Sequence, residues 1–582
     1  MDFSYIKSDS QVLFKSLEEN PDFGILEPQN YIPLYDNFFS LSTTNYNNII
    51  LNHQWRLNKV ISQESNNIFK CIIKDDKNKV NKSTYLKFSP LLDPLKYLMG
   101  KYDLNDVNLF KLPSLDNTDC NYKLRDCNNS AYVDSFFSFL SSKLLNEHNF
   151  VHGLDFYGSF LSIKNDFRFN IIDDIEMLNE SAFFRKNDKI LYELEDVTYD
   201  DANDDTRNYK KKLNLNDHSK VILNLTDITD ITQIDTICSN EIDSEMVPVN
   251  LDIDIDMDMD TSIQNKTQSR RTSSCSSRSS NTTSEDIDEM DVDMKEDLPE
   301  MEKLDLADNE EEGEGEGEGE GDDIMSCTSS ETEEDEVLIA KIKTFPVQVI
   351  ALEKCENTLD HLMSHGNITT EMWDSIVLQI LFSLITFQKT FSLTHNDLHT
   401  NNIMYCETDK KYLYYKINHI NYKVPTFGKL FKIIDFGRAI YKFRGQLLCS
   451  DSYHPEGDAA TQYNCEPYFN DKKPRLEPNM SFDLCRLGCA LYDYLIDEPQ
   501  TKIVQIMLKW IVDDKGRNIL YKKNGDERYP DFKLYKMIAR TVNKHVPSDV
   551  LANAYFDKFI VSKKEIKQTM SVMDLDVIPS YI

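Results

Sequence analysis

Apolar and polar positions alternate with a strand-like period from Trp55 onward. WRLNKVI (55–61) and NIFKCIIK (67–74) each alternate in part, DDKNKVNK (75–82) reads as a polar turn, and TYLKF (84–88) as a short strand. The period then changes. In AYVDSFFSFLSSKLLNE (131–147), Val133, Phe136, Phe137, Leu140 and Leu144 recur at helical spacing. FVHGLDFYGSFLSI (150–163) reads as one or two strands, so this region predicts a small sheet with one helix. Residues 1–45 show no clear period. Past Asp166 the signal decays, with marginal local structure expected in ILYELEDV (190–197) and VILNLTDITDI (221–231). Order returns at VLIAKIKTFPVQVIALEKC (337–355), read as another strand pair. EMWDSIVLQILFSLITFQKT (371–390) then carries Trp373, Ile376, Val377, Ile380, Leu381, Leu384 and Ile385 at buried-helix spacing. Strand-like pieces follow (NNIMY, YLYYKI, LFKIIDF), and from 481 the pattern is mainly helical. A small β-rich half joined to a larger helical half predicts an α+β protein.

Composition sharpens one boundary. The chain of 582 residues has 40% hydrophobic residues, with 31 Phe and 29 Tyr, ample for a large core. Its 99 Asp and Glu outnumber 64 Lys and Arg, for a net charge of -35, which argues against nucleic acid or an anionic membrane surface as a chain-wide partner. Residues 251–340 alone hold 31 acidic and 6 basic side chains, so -25 of that charge belongs to one segment. There, LDIDIDMDMD, SRRTSSCSSRSS and EEEGEGEGEGEGDD offer too little apolar surface to offset chain entropy, and disorder is expected. The segment falls between two strand-like regions, so it reads as an insertion within a domain, which the slow growth of loop-closure cost tolerates. Twelve dispersed cysteines without a CxxC pair read as free thiols. With no signal-peptide pattern in MDFSYIKSDSQ and no apolar run approaching the roughly 18 residues of a membrane span, an intracellular, cytoplasmic location is expected.

Chemistry concentrates in LTHNDLHTNNIMY (393–405) and KLFKIIDFGRAI (429–440). Asp397 and Asn402 lie in a short loop after a buried helix, and Asp435 opens a second loop after an apolar strand. Together they supply a carboxylate able to accept a hydroxyl proton, plus an amide oxygen and a second carboxylate as hard ligands for Mg²⁺. Such a set suits phosphoryl transfer, where positioning and charge neutralisation do nearly all the catalysis.

These blocks resemble the eukaryotic-like protein kinases. By that resemblance Asp397 matches the catalytic aspartate, Asn402 and Asp435 the metal-binding pair, and Asp435-Phe436-Gly437 the D-F-G element. SFDLCRLGCALYDYL (481–495) is similar to the following long helix, where Asp483 would hold the catalytic loop by its backbone amides, with His395 and Phe436 as stacked core residues. His399 stands two residues after the catalytic aspartate, where a lysine is usual, and is counted with it as catalytic. Asn396 replaces the usual arginine, so the loop lacks the cation that reads a phosphorylated activation segment. Asn402 and Asp435 lie 33 residues apart, and the extra YLYYKINHINYKVPTFGKLFK (412–432) looks like a hairpin. With D-L-H, this insertion and no A-P-E, the chain is similar to the atypical haspin-type branch and to kinase-like proteins of giant viruses.

The resemblance also implies a nucleotide site. Lys87 is the candidate for pairing the ATP phosphates, although a strand lysine is solvated surface by default. Asp134 is the nearest helical acid to pair it. The three positions of the phosphate-cradling glycines hold Ser62, Glu64 and Asn67, which lack glycine's close backbone approach and add a negative charge. VIALEKCENTLDHL (349–362) resembles the hinge that contacts adenine, flanked by Glu353 and Cys355. The expected organisation is an extension (1–45), a first lobe (46–164), the acidic insertion (165–336), the end of that lobe with the hinge (337–358) and a second lobe (359–582). The expected function is ATP- and Mg²⁺-dependent phosphorylation of a Ser/Thr hydroxyl on a protein substrate, a basic one if the acidic segment takes part in capture. A pseudokinase scaffold and a small-molecule kinase are the alternatives. The SRRTSSCSS run, with Arg270 and Arg271 ahead of Thr272 and Ser273, is a candidate phosphate acceptor.

Overall fold

The computed structural model describes residues 1–197 and 337–582, apart from Asp9, Asn117, Thr118, Gln568 and Thr569. Residues 198–336 lie outside it, and with them VILNLTDITDI, the SRRTSSCSS run and most of the acidic segment.

The first part is built on an antiparallel sheet. In chain order its strands are β1 (Ile25–Gln29), β2 (Arg56–Gln63), β3 (Ile68–Lys74), β4 (Lys79–Pro90), β5 (Phe156–Asn170), β6 (Tyr192–Val197) and β7 (Val337–Glu353). They are ordered β1-β5-β7-β4-β3-β2, with β6 also paired to β7. Helix α1 (Gln11–Glu18) buries Leu13 and Leu17, and helix α2 (Ser130–His148) is buried along most of its length. Asn129 caps α2 by accepting from Ala131 N at 3.1 Å, and Asn149 ends it in a left-handed turn at φ 54°. This registers the helix, because Asn129 Nδ2 also donates to Leu91 O just past β4, at 2.9 Å.

Three expectations change here. Residues 1–45 are no mere extension, since β1 is an edge strand of the sheet. The boundary at 164 falls inside β5, which continues to Asn170, and ILYELEDV contains strand β6, so 165–170 and 192–197 belong to the sheet, with short helical turns between them. Residues 337–353 form one strand rather than two. Pro346 does not break it, because its carbonyl accepts from Leu91 N at 3.0 Å on the side where β4 has just ended. A residue's N–H and C=O point to the same side of a strand, so the missing N–H faces a gap in the ladder.

The second part begins with α3 (Thr370–Phe391), capped by Thr369 Oγ1 on Met372 N at 3.3 Å and ended by Ser392 at φ 53°. Among the described residues it is the one helix long and apolar enough to cross a membrane, against the expectation that no run approaches that length, and it is mostly buried as a core helix. Strands β8 (Ile403–Glu407) and β11 (Lys429–Ile433) pair antiparallel, and between them β9 (Tyr412–Ile417) and β10 (Ile420–Pro425) form the expected hairpin. Its turn residues Asn418 and His419 sit at φ 50° and 64°, and their N–H groups donate to the Asp576 carboxylate at 2.7 and 2.9 Å. Residues 572–574 add a parallel strand to β9 and 560–561 an antiparallel one to β10. Helices α4 (Phe482–Leu495) and α5 (Lys533–Thr541) follow the hairpin in sequence.

His152 joins the two parts. Its Nδ1 lies 2.7 Å from Phe431 O and its Nε2 2.6 Å from Tyr415 Oη, which the neutral ring satisfies by donating from Nδ1 and accepting at Nε2. Burial lowers its pKa from 6.5 to about 4, against the Phe431 carbonyl. Because the folded value is depressed, this contribution is complete above pH 6.5 and is lost as pH falls toward 4. The expected loss between pH 7.5 and 5 is about 2 kcal/mol. Urea or thermal unfolding at the two pH values checks it: His152→Gln should be less stable at pH 7.5 yet fall less on acidification, and equal slopes would contradict this account.

Candidate active site

Segments far apart in sequence supply the side chains. The first constraint is Asp483 at the start of α4. Fully buried, its carboxylate accepts from His395 N at 2.9 Å and Asn396 N at 2.8 Å. Burial raises the Asp483 pKa, and the two N–H groups oppose it. Asn396 adopts φ 65°, a left-handed conformation that asparagine tolerates better than most residues. Its side chain donates to Thr394 O and Arg438 O, both at 3.1 Å, and accepts from Tyr463 Oη at 2.7 Å.

The second loop is stitched to the first. Ile434 N donates to Asn402 O at 3.0 Å, and the His395 ring nitrogen Nε2 lies 2.9 Å from Ile434 O. Phe436 is buried, with its ring centroid 4.4 Å from that of Phe137 on α2 and 5.4 Å from that of His395. Asp435 is held at φ 63°.

Lys87 ties the sheet to this loop. On β4, opposite Ile350 of β7, it places Nζ 2.7 Å from Asp134 Oδ2 and 3.0 Å from Asp435 Oδ1. Burial alone would lower the lysine pKa, but the Asp134 and Asp435 charges hold it above its ordinary value, so it stays charged. Asp134 in turn accepts from Phe436 N at 2.8 Å through Oδ1. The acid chosen on the 131–147 helix thus bridges Lys87 and the backbone of the second loop.

Asp397 faces a different set of partners. Its Oδ1 accepts from Tyr535 Oη at 2.9 Å and lies 3.9 Å from Arg486 Nε. Burial pushes its pKa up, and the Arg438 and Arg486 charges with the Tyr535 hydroxyl more than reverse this, leaving it below the usual carboxylate value. No cation stands at position 396, yet Arg438 and Arg486 supply positive charge beside Asp397 from other elements. His399 is buried, and burial lowers its pKa to about 3 despite Asp397, so the ring is neutral. Its Nδ1 is without a hydrogen-bond partner, as is Asn402 Oδ1, while Asn402 Nδ2 donates to Asp397 O at 2.9 Å.

No family model matches this chain, and no curated protein matches it.

The remaining sequence candidates are divided. Ser62 and Glu64 are exposed on the β2–β3 hairpin, where Glu64 accepts from Ser83 Oγ at 2.7 Å. Asn67 comes nearer, accepting at its carbonyl from Leu86 N at 2.8 Å. The Glu353 carboxylate turns inward, accepting from Asp155 N at 2.7 Å and pairing with buried Lys432. Cys355 is buried against Cys406, with the sulfurs 3.5 Å apart. Those two side chains are thus engaged in internal contacts rather than offered to a ligand. Arg438, Arg486, Tyr463 and Tyr535 were not singled out from the sequence. Arg486 carries a signal, the one basic residue of α4 and set at a buried position; Tyr535 carries none.

A divalent cation fits this donor set. A buried amide oxygen lacking a donor and a nearby carboxylate are hard ligands. Among the described residues no cluster of three or more His, Cys, Asp or Glu could hold an ion alone, so the rest of the shell would come from water and phosphate, as is usual for Mg²⁺. Asp483→Ala would leave two buried N–H groups unpaired, and a loss of about 3 kcal/mol or more is expected from hydrogen bonds to a charged group. A change of less than about 1 kcal/mol in the unfolding free energy would contradict the pinning role.

Proposed function

We propose that the chain is an ATP-dependent protein kinase that transfers the γ-phosphoryl group to a serine or threonine hydroxyl, on a kinase-like bilobal fold. The observation that carries this reading is the convergence of Lys87, Asp134 and Asp435 within 3.0 Å, alongside a loop that Asp483 pins by two backbone amides. A charged lysine held between two carboxylates is poised to meet phosphate oxygens. Mg²⁺ bound through Asn402 Oδ1 and Asp435 would neutralise the phosphate charge.

Asp397 supplies the base. With Oδ1 engaged by Tyr535, Oδ2 accepts the proton of the substrate hydroxyl as its oxygen bonds to the γ-phosphorus and the bond to the β-phosphate oxygen breaks. A carboxylate with a depressed pKa is ionised at neutral pH and ready to accept it. Neutral His399, with one unpartnered nitrogen, offers a hydrogen bond beside the transferring group. A protein substrate, basic if the segment at 251–340 attracts it by charge, completes the proposal.

A second reading, a scaffold without turnover, draws support from the β2–β3 hairpin. Glu64 N and Ser65 N both donate to Ile68 O, at 2.8 and 3.2 Å, so these turn amides are satisfied internally rather than offered to phosphate. Incubation with Mg²⁺, ATP and a protein panel, with a metabolite panel alongside, separates the readings. Asp397→Ala should lower transfer by about 10²–10⁴-fold while Mg²⁺-dependent ATP binding persists. Equal rates in both proteins would refute the enzyme reading, and binding without turnover in the wild type would favour the scaffold.

The segment after Asp435 bears on regulation. Asn396 holds Arg438 O and Tyr463 Oη, Tyr453 Oη donates to Arg438 O at 2.8 Å, and Arg438 pairs with Asp458. None of these contacts needs a phosphate. Phosphatase treatment of active protein should leave its rate unchanged, and a large loss traced to a site in 438–480 would contradict this.

A further inference from the structure

Asp397 must present one carboxylate oxygen to a hydroxyl, yet the outer torsion of an aspartate is soft and broadly two-fold. Something has to fix the plane of that carboxylate. The backbone of its own loop does not reach it: Asn402 and Asp483 hold main-chain atoms, and Asp397 N turns to His395 Nδ1 at 3.3 Å. The contact that does reach it comes from 138 residues downstream, on α5.

There Tyr535 is almost wholly buried, with its ring stacked on Phe532 at 5.3 Å. The Arg486 and Arg438 guanidinium carbons lie 5.2 and 5.7 Å from its ring centroid. Arg486 Nε donates to Tyr535 Oη at 2.8 Å, and Tyr535 Oη lies 2.9 Å from Asp397 Oδ1. The direction of this chain of bonds is fixed by its first member. A guanidinium can only donate, so the phenol oxygen accepts from Arg486 and its single proton points at Asp397. Each bond polarises the next.

We infer that Tyr535, oriented by Arg486, is a positioning residue that holds Oδ1 of Asp397 and leaves Oδ2 for the incoming hydroxyl. The inference rests on the proposed function for what Asp397 does, and on the geometry alone for what holds it. The rigid donor stands on an element unrelated to the loop, so loop movement during binding cannot turn the donor with it. It also gives the cationic guanidinium a neutral relay to the carboxylate. Arg486 thus acts on the carboxylate both by its charge, with Nε 3.9 Å from Oδ1, and through the phenol, to which Nε donates at 2.8 Å.

Tyr535→Phe keeps the ring and removes only the hydroxyl. It should lower kcat by ~10-fold, a part of what the base itself contributes, while the KM for ATP changes by less than about twofold. Arg486→Lys keeps the charge but loses the fixed Nε–H, and should lower kcat in the same direction with KM unchanged; it decides the matter if Tyr535→Phe does not fold. A third measurement needs no activity. In a double-mutant cycle read by urea unfolding, the shift in midpoint caused by Tyr535→Phe should shrink by about half or more when it is made on top of Asp397→Ala, which removes the acceptor. A kcat within about twofold of wild type in a folded Tyr535→Phe variant overturns the inference, as does an unchanged shift in the Asp397→Ala background. If the wild type transfers no phosphoryl group, the proposed function fails, and the unfolding cycle still decides whether Tyr535 holds Asp397.

Discussion

One buried ammonium group governs the arrangement. Lys87 sits on a central strand with little access to water, and an unpaired cation there would cost several kcal/mol. Two carboxylates answer it, and each belongs to a different element. Asp134 comes from the helix beneath the sheet and Asp435 from a loop more than three hundred residues away in sequence. Charge compensation therefore fixes three things at once: the rotation of α2, the left-handed backbone at Asp435, and the depth at which the loop enters. Asp134 extends the constraint by taking the Phe436 amide as well, so the helix holds both the side chain and the main chain of its neighbours.

The opposite wall of the site solves a different problem. Asp397 needs no strand lysine; it is kept ionised by guanidinium groups at one remove. Asn396 meanwhile serves as a neutral junction, with its amide donating to the first loop and to Arg438 and its oxygen accepting from Tyr463. Position 396 thus makes only uncharged contacts, and the positive charge beside Asp397 comes from residues 438 and 486.

Much of this was legible because it was periodic or locally punctuated. The helix over 131–147, the hairpin over 412–425 and the two loops bearing Asp397 and Asp435 all announce themselves by spacing or by short polar blocks. What stayed hidden was set by tertiary partners. Residues 25–29 look irregular because an edge strand of five residues is too short to show a period. Residues 337–353 look like two strands because a proline interrupts the run, and only the neighbouring strand's end reveals why it is harmless. Glu353 and Cys355 are expected to flank a backbone contact with a ligand, but a buried lysine and a second cysteine claim their side chains, and neither partner is near in sequence. Tyr535 belongs to the same class: its role is written wholly in what surrounds it.

The pairing of Val197 with Val337 has its own consequence. Strands β6 and β7 run antiparallel and meet at the ends from which the chain leaves and to which it returns. In topology they are the two arms of a hairpin, and everything from 198 to 336 is its connection. A doubling of such a connection costs only about 0.6 kcal/mol in closure entropy. The sheet therefore registers that its arms meet, and hardly registers how long a path joins them.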